Sequence, residues 1–433
     1  MTDLYVNPTG KLEGVVKAPP SKSYTIRAIV ASLLSEGISK IRDPLFSLDT
    51  SACIKISEKL GAQIDRKDWG LKVTGCGRKL KNPGSVLDTE NSGTTIRIIT
   101  GVASLIEGEV TLTGDESIQK RPIGELLDAL SQLGVAVSSR GGFPPIKVSG
   151  PLLGGVCSIR GDISSQFISS LLMSAPYAHE NVLIELSTPL KSRPYVDLTL
   201  SVLEKFKIRV ENEDYVKFFI RHGQVYEACD YTVEGDYSSG AFLIAGAALS
   251  NSDVTVLNLY KDSKQADKAI IDILRKMGAK VDVSEDRVRI QGTGNLSGIT
   301  MDLSDSPDLV PICAVLGALS EGRTVIENVG HARLKECDRI HAMAVELSKM
   351  GADITEKSDG LVIKGGNLKG GAIIESWNDH RIVMSMAVAG LFANGPTTIK
   401  DVEVVAVTFP DFIDVMNTLG AGFNGKPDKS GDN

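Results

Sequence analysis

Apolar and polar positions along the chain fall into a pattern that returns six times. One mark is an apolar residue, usually a glycine, and then an alternating strand. It reads LGAQID at 60–65, LGVAVS at 133–138, FKIRVE at 206–211, MGAKVD at 277–282, MGADIT at 350–355 and LGAGFN at 419–424. The second position of the mark, from Gly61 to Gly420, recurs at steps of 73, 73, 71, 73 and 69. A second mark, a β-rich stretch after a small-residue helix, begins at 38, 110, 182, 254, 324 and 397. Two independent marks with one period define six units of about 72 residues, too long for the common solenoid repeats.

Within a unit, periodicity predicts the order βαβαββ. A short strand leads (85–88, 298–303), and a Ser-, Asp- and Gly-rich loop opens a helix (94–106, 166–174). The β-rich stretch follows. A second helix ends at the LGA-like turn (124–133, 341–350), and two strands close the unit. Three units per globule predict two domains. The segments FLIAGAAL and ICAVLGAL have no polar side, so some helices are expected to be buried, inverting the usual order of sheets inside and helices outside.

Composition agrees with that picture. Of 433 residues, 42% are hydrophobic but only 5% aromatic, so the core is aliphatic, and 43 glycines supply turns. No apolar run approaches the roughly 18 residues of a membrane span, and the first ten residues lack a signal pattern. Six cysteines without a C-x-x-C spacing suggest neither a disulfide framework nor a zinc site, and a reducing cytoplasm is the expectation. A net charge of −7 argues against general nucleic-acid binding while leaving room for local basic pockets.

The loops before the first helix of each unit sit at one phase: PSKSYTIR at 20–27, NSGTTIR at 91–97, DISSQF at 162–167, DYSSGAF at 236–242, DSPDLV at 305–310 and NDHRIV at 378–383. Ser, Thr and Asp there read as N-caps. A helix N-terminus is also an anion site, and Lys22, Arg27, Arg97 and Arg381 are cations that a cap does not need. Arg121-Pro122 and Arg193-Pro194, 72 residues apart, repeat the theme at the second helices, where proline suits the first turn. If the two globules face each other, these ends converge on one cleft for a small polyanion. Asp308 and Glu336 are acids among the cations. They read as an N-cap and a helix surface charge, or as proton-transfer groups. Lys22 reads as a phosphate contact or a proton donor. No Ser-His-Asp order, Walker loop or G-x-G-x-x-G is present, and His380 has no partner at metal-ligand spacing.

The stretches PSKSYTIRA, ENSGTTIR, GDISSQF, RLKECDR, NDHR and TFPDF closely resemble those of the 5-enolpyruvylshikimate-3-phosphate synthases, in the enolpyruvyl transferase family. The resemblance runs end to end. It implies an α/β fold: a two-globule inside-out α/β barrel of six βαβαββ repeats, three per globule. Residues 21–233 would form the N-terminal globule, and 1–20 with 234–433 the C-terminal one. Two crossovers would join them, with the active site between. It implies transfer of the enolpyruvyl group of phosphoenolpyruvate to the 5-hydroxyl of shikimate-3-phosphate, with no metal or cofactor, in a cytoplasmic monomer.

By the same resemblance, Lys22, Ser23, Arg27, Ser164, Ser165, Gln166, Ser192, Tyr195, Asp308 and Lys335 would bind shikimate-3-phosphate. Lys22, Asn91, Gly93, Thr94, Arg121, Gln166, Arg339, His380 and Arg381 would hold phosphoenolpyruvate. Asp308, Glu336 and Lys22 would carry the acid and base roles, with no partition among them. Two positions depart from the bacterial pattern: Val407 where a lysine is usual, and His331 where an asparagine is usual. The first removes a cation near phosphoenolpyruvate; the second changes a shikimate-3-phosphate contact. Two alternatives stand beside this reading. One is the sister enzyme acting on UDP-N-acetylglucosamine, disfavoured because GDESIQKRP carries no cysteine. The other is a non-catalytic repeat scaffold.

Overall fold

A computed structural model describes residues 2–425. Contacts divide the chain into two units, one of 1–19 with Gly235 onward, the other Pro20–Glu234. The helices are α1 (Lys22–Leu33), α2 (Leu48–Lys59), α3 (Gly93–Ala103), α4 (Gly124–Gln132), α5 (Ser165–Ser174), α6 (Arg193–Lys205), α7 (Tyr237–Leu249), α8 (Ile270–Lys276), α9 (Val310–Ala318), α10 (Arg339–Lys349), α11 (His380–Leu391) and α12 (Phe412–Thr418).

Each repeat builds one four-stranded sheet. Leu87–Asp88 lies parallel to Gly108–Thr113, next to which run Phe143–Gly150 and then Ala136–Arg140, both antiparallel to their neighbours. The same order joins Gly155–Ile159, Val182–Leu186, Lys217–Ile220 and Glu211–Glu213, and again Thr300–Asp302, Arg323–Glu327, Gly360–Lys364 and Asp353–Lys357.

The repeats in space are not quite the contiguous repeats of the sequence. The first repeat takes its leading strand from Asp230–Thr232, which pairs parallel to Ile38–Arg42. The fourth takes Glu13–Lys17 beside Asn251–Leu257. The sixth fills its third place with Leu4–Val6, between Thr397–Ile399 and Phe423–Asn424. The reason is topological. A chain that leaves one unit to build another and then returns must complete each ring of repeats with a strand distant in sequence.

Burial follows the expected inversion. Every residue of α3, α7, α9 and α11 is buried. These first helices of the repeats pack on one another within their own unit: α3 against α5 and α1, and α7, α9 and α11 together. Such contact demands small side chains. The Gly101 amide on α3 donates to the Ser170 hydroxyl on α5 at 3.1 Å, and a Cβ at Gly101 would stand 2.5 Å from that oxygen. The strands alternate buried and exposed positions, as in Arg287–Thr293, so one sheet face covers the helices and the other meets solvent.

Two local readings are corrected. Helices α3 and α10 begin one and two residues earlier than the apolar period suggests, because polar residues occupy their first turns. Pro122 is not in a helical first turn: Arg121 is extended, as a residue before proline tends to be. The Ile123 amide donates to the Gly142 carbonyl at 2.9 Å, and α4 starts only at Gly124. Pro194 does occupy the first turn of α6.

Candidate active site

In the Pro20–Glu234 unit, the starts of α1, α3, α5 and α6 carry the predicted residues. Ser92 caps α3 and Ser164 caps α5. These caps fix where Gly93, Thr94, Ser165 and Gln166 begin their helices. The Gln166 side chain ties the two ends together. Its carbonyl oxygen accepts from Arg97 Nη1 at 2.6 Å, and its amide donates to Thr94 Oγ1 at 3.0 Å. Arg97, 9% exposed, also lies over the Phe167 ring at 5.6 Å. Arg121 donates to Ser117 Oγ at 3.0 Å. Both guanidinium groups crowd Gly93, where a Cβ would stand 2.5 Å from Arg121 Nη1 and 3.1 Å from Arg97 Nη1. Asn91 donates to Asp115 at 2.6 Å, which holds the loop before α3.

Arg27 anchors a second group. It is 1% exposed, and burial pulls its guanidinium down to about 10. It donates to Thr199 Oγ1 at 2.8 Å, Ser169 Oγ at 3.2 Å, and the carbonyls of Ser23 and Tyr195 at 3.0 and 3.4 Å. Ser192 holds a left-handed backbone at the start of α6, with φ 57°, and its carbonyl accepts the Tyr195 amide. Lys22 meets Asp49 on α2 at 2.9 Å.

In the other unit the predicted residues form one knot of charge. Arg339, 1% exposed at the start of α10, donates to Asp308 at 2.6 Å, Glu336 at 2.6 Å and Asp379 at 2.8 Å. Burial opposes its charge, but Asp379, Glu336 and Asp308 outweigh burial and hold the guanidinium above its ordinary value. Asp308 also meets Arg381 at 3.0 Å and Lys335 at 3.4 Å. Burial lowers the Lys335 ammonium, with Asp308 opposing. His380, 1% exposed, opens α11 beside Arg381, and Asp379 caps that helix through the Arg381 amide at 2.8 Å.

The structure thus excludes two local readings. Asp308 is not an N-cap; its carboxylate faces three cations. Glu336 is not a helix surface charge but lies before α10, on Arg339. Of the departures, Val407 is 5% exposed at the end of a short 3₁₀ turn, and His331 lies in another. Sequence reasoning missed Asp49, which meets Lys22, and Asp379, which meets Arg339. Asp379 had a signal, its place as the cap residue before His380. Asp49 lies outside the loops that share the repeat phase. Among the described residues, no group of three or more His, Cys, Asp or Glu could hold a metal ion. No helix there is long and apolar enough to cross a membrane.

A family model described as EPSP synthase (3-phosphoshikimate 1-carboxyvinyltransferase) matches residues 6–416. The chain belongs to the EPSP synthase family. It is 50% identical over 431 residues to a 3-phosphoshikimate 1-carboxyvinyltransferase of Methanocaldococcus jannaschii, covering 98% of this chain and 99% of that one. It is 49% identical over 426 residues to the one from Methanothermobacter thermautotrophicus, with the same coverage. The solved EPSP synthase of Acinetobacter baumannii superposes with a TM-score of 0.83 at 29% identity, over 99% of this chain and 100% of that one. Membership makes the chain a transferase of the shikimate pathway and carries the two-globule inside-out α/β fold. It leaves no place for the sister-enzyme or scaffold alternatives.

Proposed function

We propose that both clusters serve one reaction, in which the enolpyruvyl group of phosphoenolpyruvate passes to the 5-hydroxyl of shikimate-3-phosphate and phosphate is released. The observation that carries the reading is Arg339. One buried guanidinium holds two carboxylates, Asp308 and Glu336, that can serve as base and acid at one place.

Residues Lys22, Ser23, Arg27, Ser164, Ser165, Gln166, Ser192, Tyr195 and Lys335 bind shikimate-3-phosphate. Residues Asn91, Gly93, Thr94, Arg121, Arg339, His380 and Arg381 bind phosphoenolpyruvate, with Gln166 and Lys22 touching both substrates. Support comes from the geometry of each cluster: hydroxyls and helix starts around Arg27, and two guanidinium groups over Gly93.

The chemistry follows from competition for cations. Arg339 and Arg381 now bind Asp308. An incoming carboxylate or phosphate competes for them, and Asp308 becomes a stronger base as it loses cation partners. Asp308 then takes the proton of the 5-hydroxyl while that oxygen attacks C2 of phosphoenolpyruvate. Glu336 protonates C3, giving a tetrahedral intermediate. Glu336, left as a carboxylate, takes a proton back from that methyl group as phosphate departs, which restores the enol ether. We assign the acid role to Glu336 rather than Lys22 because Glu336 shares Arg339 with Asp308, whereas Lys22 is tied to Asp49.

The test is phosphate release with shikimate-3-phosphate and phosphoenolpyruvate together and separately. Release only with the pair is expected; none from folded protein with both sinks the reading. The reading also takes the enzyme to be a cytoplasmic monomer of two globules, 21–233 and 1–20 with 234–433. Light scattering that gave the mass of a dimer would contradict the monomer.

A further inference from the structure

Resting on that reading, we propose that Asp267 is a positioning residue for the reaction, a second buried carboxyl paired electrostatically with Asp308 that strengthens it as a base. Asp267 is 1% exposed and lies in a short 3₁₀ turn, Ala266–Ala269, outside all the sequence motifs. That turn is tied to the start of α7 on one side and to the Asp308 turn on the other. Gln265 accepts the Tyr237 amide at 2.9 Å and donates to the Gly235 carbonyl at 2.7 Å, which fixes the turn to the start of α7. Ser306, two residues before Asp308, donates its hydroxyl to the Ala266 carbonyl at 2.9 Å. The Ser238 hydroxyl donates to the Asp267 carboxyl itself. A buried acid is thus held against the Asp308 turn.

The electrostatics agree. Burial first, and the neighbouring Asp308 second, raise Asp267 to about 7 against the opposing Arg381 and Ser238 hydroxyl. Asp236 and Cys313 also face it. Two interacting carboxyls titrate as a pair. Below about pH 7 Asp267 keeps its proton; above it Asp267 is charged beside the Asp308 carboxylate. In the doubly charged form, Asp308 has its strongest affinity for the hydroxyl proton. A lone carboxylate among three cations would be a weak base at neutral pH.

The experiment is the pH profile of kcat for the full chain and for Asp267→Asn, which keeps an acceptor for Ser238. In the parent, kcat should rise through a step near pH 7. In the variant the step should vanish and kcat at pH 8 fall about tenfold, with both KM values within about threefold. A step that survives in Asp267→Asn belongs to another group, such as Lys335, and overturns the proposal; so does a change in KM alone. If Asp267→Asn does not fold, Ser238→Ala removes a bond that lowers Asp267 and should move the step to higher pH; an unmoved step overturns the pairing. Carboxyl carbon NMR separates this proposal from the assigned reaction. The Asp308 resonance, identified by its loss in Asp308→Asn, should sense a titration near pH 7 in the parent and not in Asp267→Asn. Absence of that inflection in the parent sinks the pairing whether or not phosphate is released.

Discussion

The two units place cations at the same phase of the same repeat and then treat them differently. In Pro20–Glu234, Arg27, Arg97 and Arg121 donate to hydroxyls, a side-chain amide and backbone carbonyls, and Lys22 meets one carboxylate. In the other unit Lys335, Arg339 and Arg381 all lie on Asp308, and Arg339 reaches Glu336 and Asp379 as well. The repeat supplies helix starts that favour anions in both units. The groups around each cation decide what the field is for. A guanidinium oriented by neutral partners keeps most of its charge for a ligand, whereas one shared with acids fixes those acids and tunes their protons.

The largest effect should come from cutting the acid-rich knot at its centre. Arg339→Ala leaves Asp308, Glu336 and Asp379 crowded without their common partner. Breaking a buried pair this way typically removes about 3–5 kcal/mol. Turnover should fall below detection and Tm should drop. Arg339→Lys should recover some stability but little turnover, because an ammonium lacks the fork that meets three carboxylates. Unchanged Tm in Arg339→Ala would mean that the knot is not structural.

Next in size is a contrast between the units. Asp308→Asn should lower kcat about 10²–10⁴-fold with little change in either KM. Arg27→Ala should instead raise KM for shikimate-3-phosphate by about two orders of magnitude, the loss of a buried charged anchor. Steady-state kinetics with each substrate varied decides the matter. If Asp308→Asn mainly raises KM, the acid-rich knot is a binding site and the contrast collapses.

How much of this was legible beforehand depends on what each signal records. Repeat period, buried helices and the phase of the cationic loops are local patterns, and Ala, Gly and Leu on all faces of Tyr237–Leu249 leave little choice but burial. Strand exchange was invisible. Nothing in the residues of Leu4–Val6 says that they pair with Thr397–Ile399. Within the site, residues in the repeated loops could be picked out by position. Asp49 could not: it sits in the first turn of α2, where an acid suits the helix dipole anyway. Asp267 looks like any surface aspartate until the structure shows it buried. Conversely, Asp308 and Glu336 carried two readings each; their distances to Arg339 remove the N-cap and the surface charge and leave proton transfer as the proposal.

A smaller effect should distinguish the units by stability. Asp267 has a folded value of about 7 against an ordinary 3.8. A carboxyl raised on folding contributes stability that is complete below about pH 4 and is lost as pH rises through 7, because the unfolded chain releases the proton first. Asp267→Asn removes that loss. The Tm of the variant relative to the parent should therefore climb by a few degrees between pH 4 and 7 and stay level above. A difference independent of pH would show that Asp267 is not raised by its surroundings.

The smallest effect concerns the glycine between the two guanidinium groups. A methyl group at position 93 would stand 2.5 Å from Arg121 Nη1 and 3.1 Å from Arg97 Nη1. Gly93 lies within a helix and has no left-handed backbone to lose, so Ala there is no backbone strain. Both clashing atoms are the tips of long side chains and can yield by a few tenths of an ångström to more. The fold should therefore survive Gly93→Ala with Tm nearly unchanged. The penalty falls on where Arg121 points, since its Nη1 stands nearer the added methyl group than that of Arg97 and must give way further. A displaced Arg121 should raise KM for phosphoenolpyruvate about tenfold, roughly 1.4 kcal/mol, and leave KM for shikimate-3-phosphate within about twofold. An equal rise in both would mean that the neutral-anchored cations of this unit act as one field rather than as two addressed sites.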